Sequence, residues 1–213
     1  MKYKNQLVLN GQINDVGAYT RVNVPDSYRL GLELETAIKF AKRFEWKANA
    51  TISRNRIKEF IEYVDSYDEN FGWIGQEFVR YENVELAFSP DIIVNSDFSV
   101  DAFNGKTGTK EVTQQLTFSI LNKYVGEQYF DNSESDDRKL DGYFLADFRM
   151  IYSIKNWGIK EITLTFLARN LLDQEYESNA WVYRYVFDGQ FTQADGYYPQ
   201  AGRNFMAGLI LKF

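Results

Sequence analysis

Apolar residues in this chain recur at every second position, run after run, and that period constrains the fold more than any other feature. A period of two puts successive side chains on opposite faces of an extended strand. Eight such runs follow one another. The first extends from Tyr3 to about Ile13, with Leu7 and Leu9 on its apolar side. In the second, about Tyr28 to Ala41, Leu30, Leu32, Leu34, Ile38 and Phe40 share one face while Arg29, Glu33, Glu35 and Lys39 share the other. The third sets Phe44, Trp46, Ala48, Ala50 and Ile52 against Glu45, Lys47, Asn49, Thr51 and Ser53. Runs over Asp91 to Phe103, Val112 to Tyr129, Asp141 to Lys155 and Ile162 to Arg169 repeat the pattern. The chain closes on "FMAGLILKF", with Phe205, Ala207, Leu209, Leu211 and Phe213 on one side.

The faces opposite the apolar ones carry full charges of both signs. A dry core does not accept that many charges, so those faces are wet. A soluble antiparallel sheet also has one wet face, so alternation alone leaves a sandwich and a barrel both open. The connections separate them. Ala41 to Phe44, Asn156 to Gly158 and Asn104 to Glu111 are short. Asp15 to Ser27, about Arg56 to Pro90, Asp131 to Leu140 and Glu177 to Gln200 are long. If neighbouring strands are antiparallel, all the long connections emerge at one end, which is the layout of a transmembrane β-barrel. Most apolar faces span about nine to eleven residues, enough to cross a bilayer when tilted. Tyr28, Phe40, Phe44, Trp46, Phe103, Tyr124, Tyr129, Trp157 and Phe213 gather at run ends, as interfacial girdles do. The expected fold is therefore all-β, an antiparallel transmembrane barrel with about eight strands present.

Composition removes other readings. The 213 residues include no His and no Cys. That excludes disulfides and thiolate metal sites, and takes away the commonest general base. No carboxylate pair stands out as catalytic, and no metal or cofactor site is expected. Net charge is −6, with acids and bases mixed along the chain and no basic stripe, so no nucleic-acid partner is expected. No run of about 18 apolar residues marks a membrane helix. The mean hydropathy of −0.42 looks polar, but a barrel exposes only alternate residues to lipid and averages out polar. The opening "MKYKNQLVLN" does not read as a signal peptide.

Several stretches together resemble the C-terminal part of a TonB-dependent receptor of the kind found in Bacteroidetes-type bacteria. They are "YKNQLVLNGQINDVGAYTRVNVPDSYRLGLELE" (Tyr3 to Glu35), "ISRNRI" (Ile52 to Ile57), "FSPDII" (Phe88 to Ile93), "KYVGEQYFDN" (Lys123 to Asn132), "LARNLLDQEYESN" (Leu167 to Asn179) and "YYPQAGRNFMAGLILKF" (Tyr197 to Phe213). The resemblance implies a 22-stranded outer-membrane barrel filled by an N-terminal plug. It implies uptake of a scarce nutrient driven through TonB, which the missing N-terminal part would contact. Residues 1–213 would then be the C-terminal portion, lacking the plug and the first strands. The chain would be a fragment, a gene remnant or one piece of a split barrel, with Met1 internal to the parent protein. The resemblance also implies that the barrel assembly machinery reads the terminal strand, here Leu209, Leu211 and Phe213.

No residue is catalytic in this reading. Ligand contacts are expected from the long connections, from Tyr63, Tyr67 and Trp73 in one and from Trp181, Tyr183, Tyr185 and Tyr197 in another. Rings there suit stacking on sugars or organic chelates, although "WVYRYVF" alternates and reads equally as a strand extension. The acidic stretch Asp131 to Asp137 reads as a solvated loop. Lumen charges such as Glu33, Glu35, Asp147, Arg149 and Arg169 read first as inter-strand salt bridges. Iron chelates such as siderophores, cobalamin, oligosaccharides and peptides all stay open as substrates, and so does a surface lipoprotein partner. Two other classes compete: a stand-alone eight-stranded outer-membrane barrel acting as anchor or adhesin, and a soluble β-sandwich binding module.

Overall fold

A computed structural model describes residues 1–14, 16–107 and 112–213, and most of them are in strands. In chain order the strands are β1 (Lys2–Ile13), β2 (Tyr19–Phe40), β3 (Phe44–Tyr67), β4 (Trp73–Glu85), β5 (Ile92–Thr107), β6 (Val112–Val125), β7 (Gln128–Tyr129) and β8 (Lys139–Leu140). They continue with β9 (Tyr143–Lys155), β10 (Glu161–Arg169), β11 (Glu177–Phe187), β12 (Gln190–Pro199) and β13 (Asn204–Lys212). All but the short β7–β8 pair join one sheet, in the order β12-β11-β1-β2-β3-β5-β6-β9-β10-β13, with β4 alongside β3.

The lower part of the sheet is a plain antiparallel meander. Residues 41–43 turn β2 into β3, with Ala41 and Lys42 at positive φ. Residues 156–160 turn β9 into β10. Residues 104–107 extend β5, and 108–111 of the third short connection lie outside the described residues, as does Asp15 of the first long one. Register fixes the faces. Leu32 faces Ile52, Trp46 faces Phe98, Phe98 faces Ile120, Ile120 faces Phe148, and Leu164 faces Leu209. All of these lie on the convex side. There Phe40, Phe44 and Phe98 stack near the short turns, while Phe118, Phe148, Phe166 and Phe205 form a ladder at 5.9–6.4 Å spacing. The polar residues of the same strands line the concave side.

Above this meander the strands change sides. Below the change β3 follows the alternation expected of it; above, it buries Phe60, Glu62, Val64 and Ser66. β2 buries Ser27 and then Val24, three residues away instead of two. The shift falls at one level across four strands. Asn5 lies opposite Pro25 and Lys58 opposite Asn83 in the continuous registers, and both asparagines are left-handed, with φ of 54° and 52°. Asn tolerates that conformation better than other side-chain-bearing residues. The change brings Val8, Val24, Ile57, Phe60, Val84 and Leu86 into one buried cluster, with Phe130, Leu140, Ala180 and Val182 in a second.

This upper region corrects several expectations. Thirteen strands, not about eight, are present among the described residues. Residues 19–27, taken for connection, belong to β2. Residues 56–85 form the upper β3–β4 hairpin, and 177–199 the β11–β12 hairpin. Val8 reaches a core that the alternation did not announce, because the left-handed Asn5 resets the period of β1, while Leu7 stays exposed on the apolar side. β11 is also not purely antiparallel in its partners. It runs parallel to β3 at Tyr185–Phe187 and meets β1 at Val182, so the hairpin rising between β10 and β13 reaches over to the other end of the sheet.

The convex face below the change is the apolar one. Leu32→Arg is therefore expected to destabilise insertion by about 2–4 kcal/mol in a bilayer, while Glu33→Arg on the concave face leaves yield nearly unchanged. Protease-resistant, membrane-inserted protein measures both, and equal losses would contradict the assignment.

Candidate functional site

The concave wall is built by alternation alone. Strands β2, β3, β5, β6, β9 and β10 turn Glu35, Lys47, Asn49, Asn95, Asp97, Lys123, Asp147 and Arg169 inward around a cavity of about 820 Å³. Asn95 Nδ2 donates to Asn49 Oδ1 at 2.9 Å. Arg149 pairs with Asp97 at 3.3 Å and Arg169 with Asp147 at 3.9 Å, which is the inter-strand pairing the sequence led one to expect. Glu33 is exposed. Where β10 ends, Asn170 is buried and takes over the turn: its amide N–H donates to Asp147, and its side chain brackets Gln174. Tyr176 follows and stacks on Tyr143 at 4.4 Å, at the rim of the same cavity.

Above the wall the connections pack into a cap around four buried or nearly buried charges. Glu62 of β3 accepts from Arg184 of β11 at 2.6 Å and from the Tyr81 hydroxyl of β4 at 2.9 Å. Arg138, beside β8, lies 3.9 Å from the other Glu62 oxygen and is bonded to Asp131. Two cations face two carboxylates, so no charge is stranded. Burial chiefly, then the neighbouring Glu62 carboxylate, pushes the Tyr81 hydroxyl above its ordinary pKa. Asn132 is fully buried; it accepts from the Ala87 amide at 2.8 Å and donates to Leu9 O at 2.6 Å. Asp131, Asn132 and Ser133 are thus structural, and the reading of this stretch as a solvated loop is wrong at its first three residues. Arg56 adds a second brace to Glu85 and Glu134, each at 3.0 Å.

The ring-bearing candidates fall into two groups. Tyr67 and Tyr183 share a hydrogen bond at 3.0 Å, Tyr183 stacks on Tyr185 at 5.6 Å, and Tyr67 meets Tyr185 edge-on. Phe71 and Phe187 close the same tip at 4.6 Å. These three tyrosines are brought together and hold β11 against β3. The others are apart. Tyr63 faces Phe78 across β3–β4, and both are exposed. Trp73 is exposed and donates to Asp65 at 3.2 Å. Trp181 covers Gly196, where a Cβ would sit 2.4 Å from the indole nitrogen. Tyr197 is exposed and meets Phe130 edge-on. Leu209 and Leu211 lie on the convex face of β13, and Phe213 stands one residue beyond its end. Glu62, Arg184, Arg138 and Tyr81 were not singled out from the sequence. The one local signal was a charged residue at position 184 inside the alternating "WVYRYVF".

This architecture has relatives. The family model described as TonB dependent receptor-like, beta-barrel, matches residues 1–171. The chain belongs to this family. Its barrels are outer-membrane receptors and transporters, which fits the apolar convex face. The fold also matches the crystal structure of the ferric-catecholate import receptor Fiu from E. coli K12 in its closed form, with a TM-score of 0.54 at 14% identity over 98% of this chain. The chain spans 23% of the length of that receptor. No curated protein matches the sequence.

Two predictions concern the cap. Arg184→Met leaves Glu62 buried with only a distant cation, at a cost of about 3–5 kcal/mol; amide exchange across 181–187 should accelerate while the β9–β10 amides stay protected. Burial, then the hydrogen bond with Tyr67, holds the Tyr183 phenol well above its ordinary pKa. An unfolded tyrosine ionises near pH ~10. This contribution is thus complete below that pH and disappears as pH rises toward the folded value. The denaturation midpoint reported by Trp181 fluorescence should fall above pH ~10, and Tyr183→Phe should flatten that fall.

Proposed function

We propose that the chain is the C-terminal portion of an outer-membrane TonB-dependent receptor of Bacteroidetes type that takes up a scarce nutrient. The plug and the first barrel strands would belong to the rest of the parent protein. TonB would act through that N-terminal part, and Leu209, Leu211 and Phe213 would be read by the barrel assembly machinery. The solute would pass the polar concave wall. Among the ring-bearing candidates Tyr63, Trp73 and Tyr197 are free to meet it, whereas Tyr67, Tyr183 and Tyr185 are engaged with one another. Siderophore-type iron chelates, cobalamin, oligosaccharides and peptides are the solute classes considered, with a surface lipoprotein as a further partner.

The observation that carries this reading is the direction of the edge strands. In the lower sheet β2 and β13 stand at the two edges, with β3, β5, β6, β9 and β10 between them. Both edge strands run toward the short turns, so joining them directly would make a parallel pair inside an antiparallel ring. β1 covers only Tyr19–Tyr28 of β2, so Leu30 to Phe40, paired with β3 on one side, have no partner strand on their other edge among the described residues. Closure needs an odd number of further antiparallel strands. A larger barrel supplies them; a stand-alone eight-stranded barrel does not have this arrangement. A soluble sandwich would leave the convex face uncovered, with Leu30 69% and Leu209 59% exposed, an aggregation hazard in water.

The test is nutrient-limited growth of the source bacterium with the full-length gene intact or deleted. Each medium offers one limiting nutrient: an iron chelate, cobalamin, an oligosaccharide or a peptide. Growth on one class should be lost on deletion, and uptake of that class should also stop when the proton gradient is dissipated. Unchanged growth on all four would overturn the proposal.

A further inference from the structure

Just below the side change, β1, β2 and β3 gather cations on the convex face. Residues opposite each other in a register share a face. Leu32 faces Ile52, Leu30 faces Arg54, Tyr28 faces Arg56 and Lys2, and Asp26 faces Lys4, in one unbroken alternation. Lys2, Lys4 and Arg54 are exposed, and so is Lys58 at the change itself. None of these four has a side-chain hydrogen bond or ion pair among the described residues. Arg56 beside them is already held by Glu85 and Glu134. Asp26 is the carboxylate on the same face, so four free cations stand against one anion.

Solvated lysines are ordinary surface features; position sets these apart. Directly below them begins the exposed apolar band of Leu30, Leu32, Ile52 and Ile92. The next strands differ in sign at this level. The Ser53 amide donates to the Asp91 carbonyl at 2.8 Å, which sets Asp91 beside the row of Arg54, and Glu127 and Asp141 flank the matching ends of β6 and β9. The positive charge is thus confined to three strands and does not continue along the sheet.

We propose that this patch binds the headgroup of a membrane lipid carrying two phosphates. The proposal rests on the receptor reading above: the long connections of an outer-membrane barrel face outward, which sets the patch at the outer leaflet. Charge complementarity gives the sign, because cations without internal partners at a membrane surface attract anionic headgroups. Continuity with the apolar band makes the ligand a lipid: its acyl chains lie along Leu30, Leu32 and Ile52 while its phosphates meet the cations. Extent gives the number of phosphates. Two strand gaps from β1 to β3 make about 10 Å, and four residues from Arg54 to Lys58 make about 13 Å, more than one phosphate spans. One phosphate lies with Lys2 and Lys4 on β1 and the other with Arg54 and Lys58 on β3. The Tyr28 ring stands between them, at the level where amphipathic rings favour the interface.

The experiment places the full-length receptor, purified from outer membranes, in phosphatidylcholine nanodiscs with graded fractions of diphosphoryl or monophosphoryl lipid A. Native mass spectrometry reads the lipid retained on the protein, with inorganic pyrophosphate as competitor. The parent should hold the diphosphoryl form about tenfold more tightly than the monophosphoryl one, the step that about 1.4 kcal/mol makes. Lys4→Gln/Arg54→Gln should weaken binding of the diphosphoryl form about 25-fold, fivefold for each cation removed. Lys42→Gln/Arg43→Gln, in the turn at the far end of β2, should bind as the parent does. Heat-modifiable mobility checks that each variant is folded. Equal retention of the two lipids by the parent, or a Lys4→Gln/Arg54→Gln variant that binds like the parent, overturns the site and leaves the receptor reading standing. Pyrophosphate that displaces the lipid at equal concentration overturns it in favour of a soluble anion. A full-length chain absent from the outer membrane overturns the receptor reading, and the lipid site falls with it.

Discussion

Backbone pairing is the constraint from which the rest of this structure follows. Each strand must give its N–H and C=O groups to a neighbour, and the register that does so also decides which side chains share a face. Across β2, β3, β5, β6, β9, β10 and β13 that register keeps most apolar positions convex and most charged ones concave. A one-residue slip would reverse all of them. The side change at Asn5, Pro25, Lys58 and Asn83 is such a reversal made deliberately and in step. It happens in four strands at one level, so the pairing survives while the apolar face turns from outside to inside. Below it the sheet is two-faced; above it the strands enclose a core of their own.

That core explains why the cap can hold charges the wall keeps wet. Glu62 and Asp131 are buried, and so is Arg138, yet each carboxylate has a guanidinium, and Glu62 also accepts from the Tyr81 hydroxyl and Asp131 from Ser133. Removing one member would strand another, so the four behave as a unit. They come from β3, from the segment beside β8 and from β11, three parts of the chain with nothing local in common. The network therefore works as a tie between connections. The tyrosines at the hairpin tip serve the same tie: Tyr67 and Tyr183 satisfy each other's hydroxyls while their neighbours stack. Rings whose polar ends are already paired are poorly placed to recognise a solute as well.

The lower meander was legible because its signal is local. Alternation, short turns and girdle aromatics are each read within about ten residues, and strands β5, β9, β10 and β13 fall close to where those signals put them. The upper region was not, for two physical reasons. The side change breaks the period at Asn5 and near Lys58, so a run that continues as strand looks as though it ends. The cap's polar partners are also far apart in the chain, as with Glu62 and Arg184, and nothing in either neighbourhood announces the pairing. The stretch from Asp131 is the sharpest case. Its composition is that of a solvated loop, yet Asn132 is buried because its amide completes the backbone of Ala87 and Leu9.

Charge shows the same gap between line and space. Read along the sequence, acids and bases alternate and cancel toward −6. Folded, the acids predominate in the cap and part of the positive excess gathers near the short turns, because each hairpin returns the chain to the same end. On a curved polar wall such an axial difference is screened less than on a flat surface. The edges β2 and β13 set the direction in which further strands must run; the charge gradient sets the sign that each end of the concave wall presents.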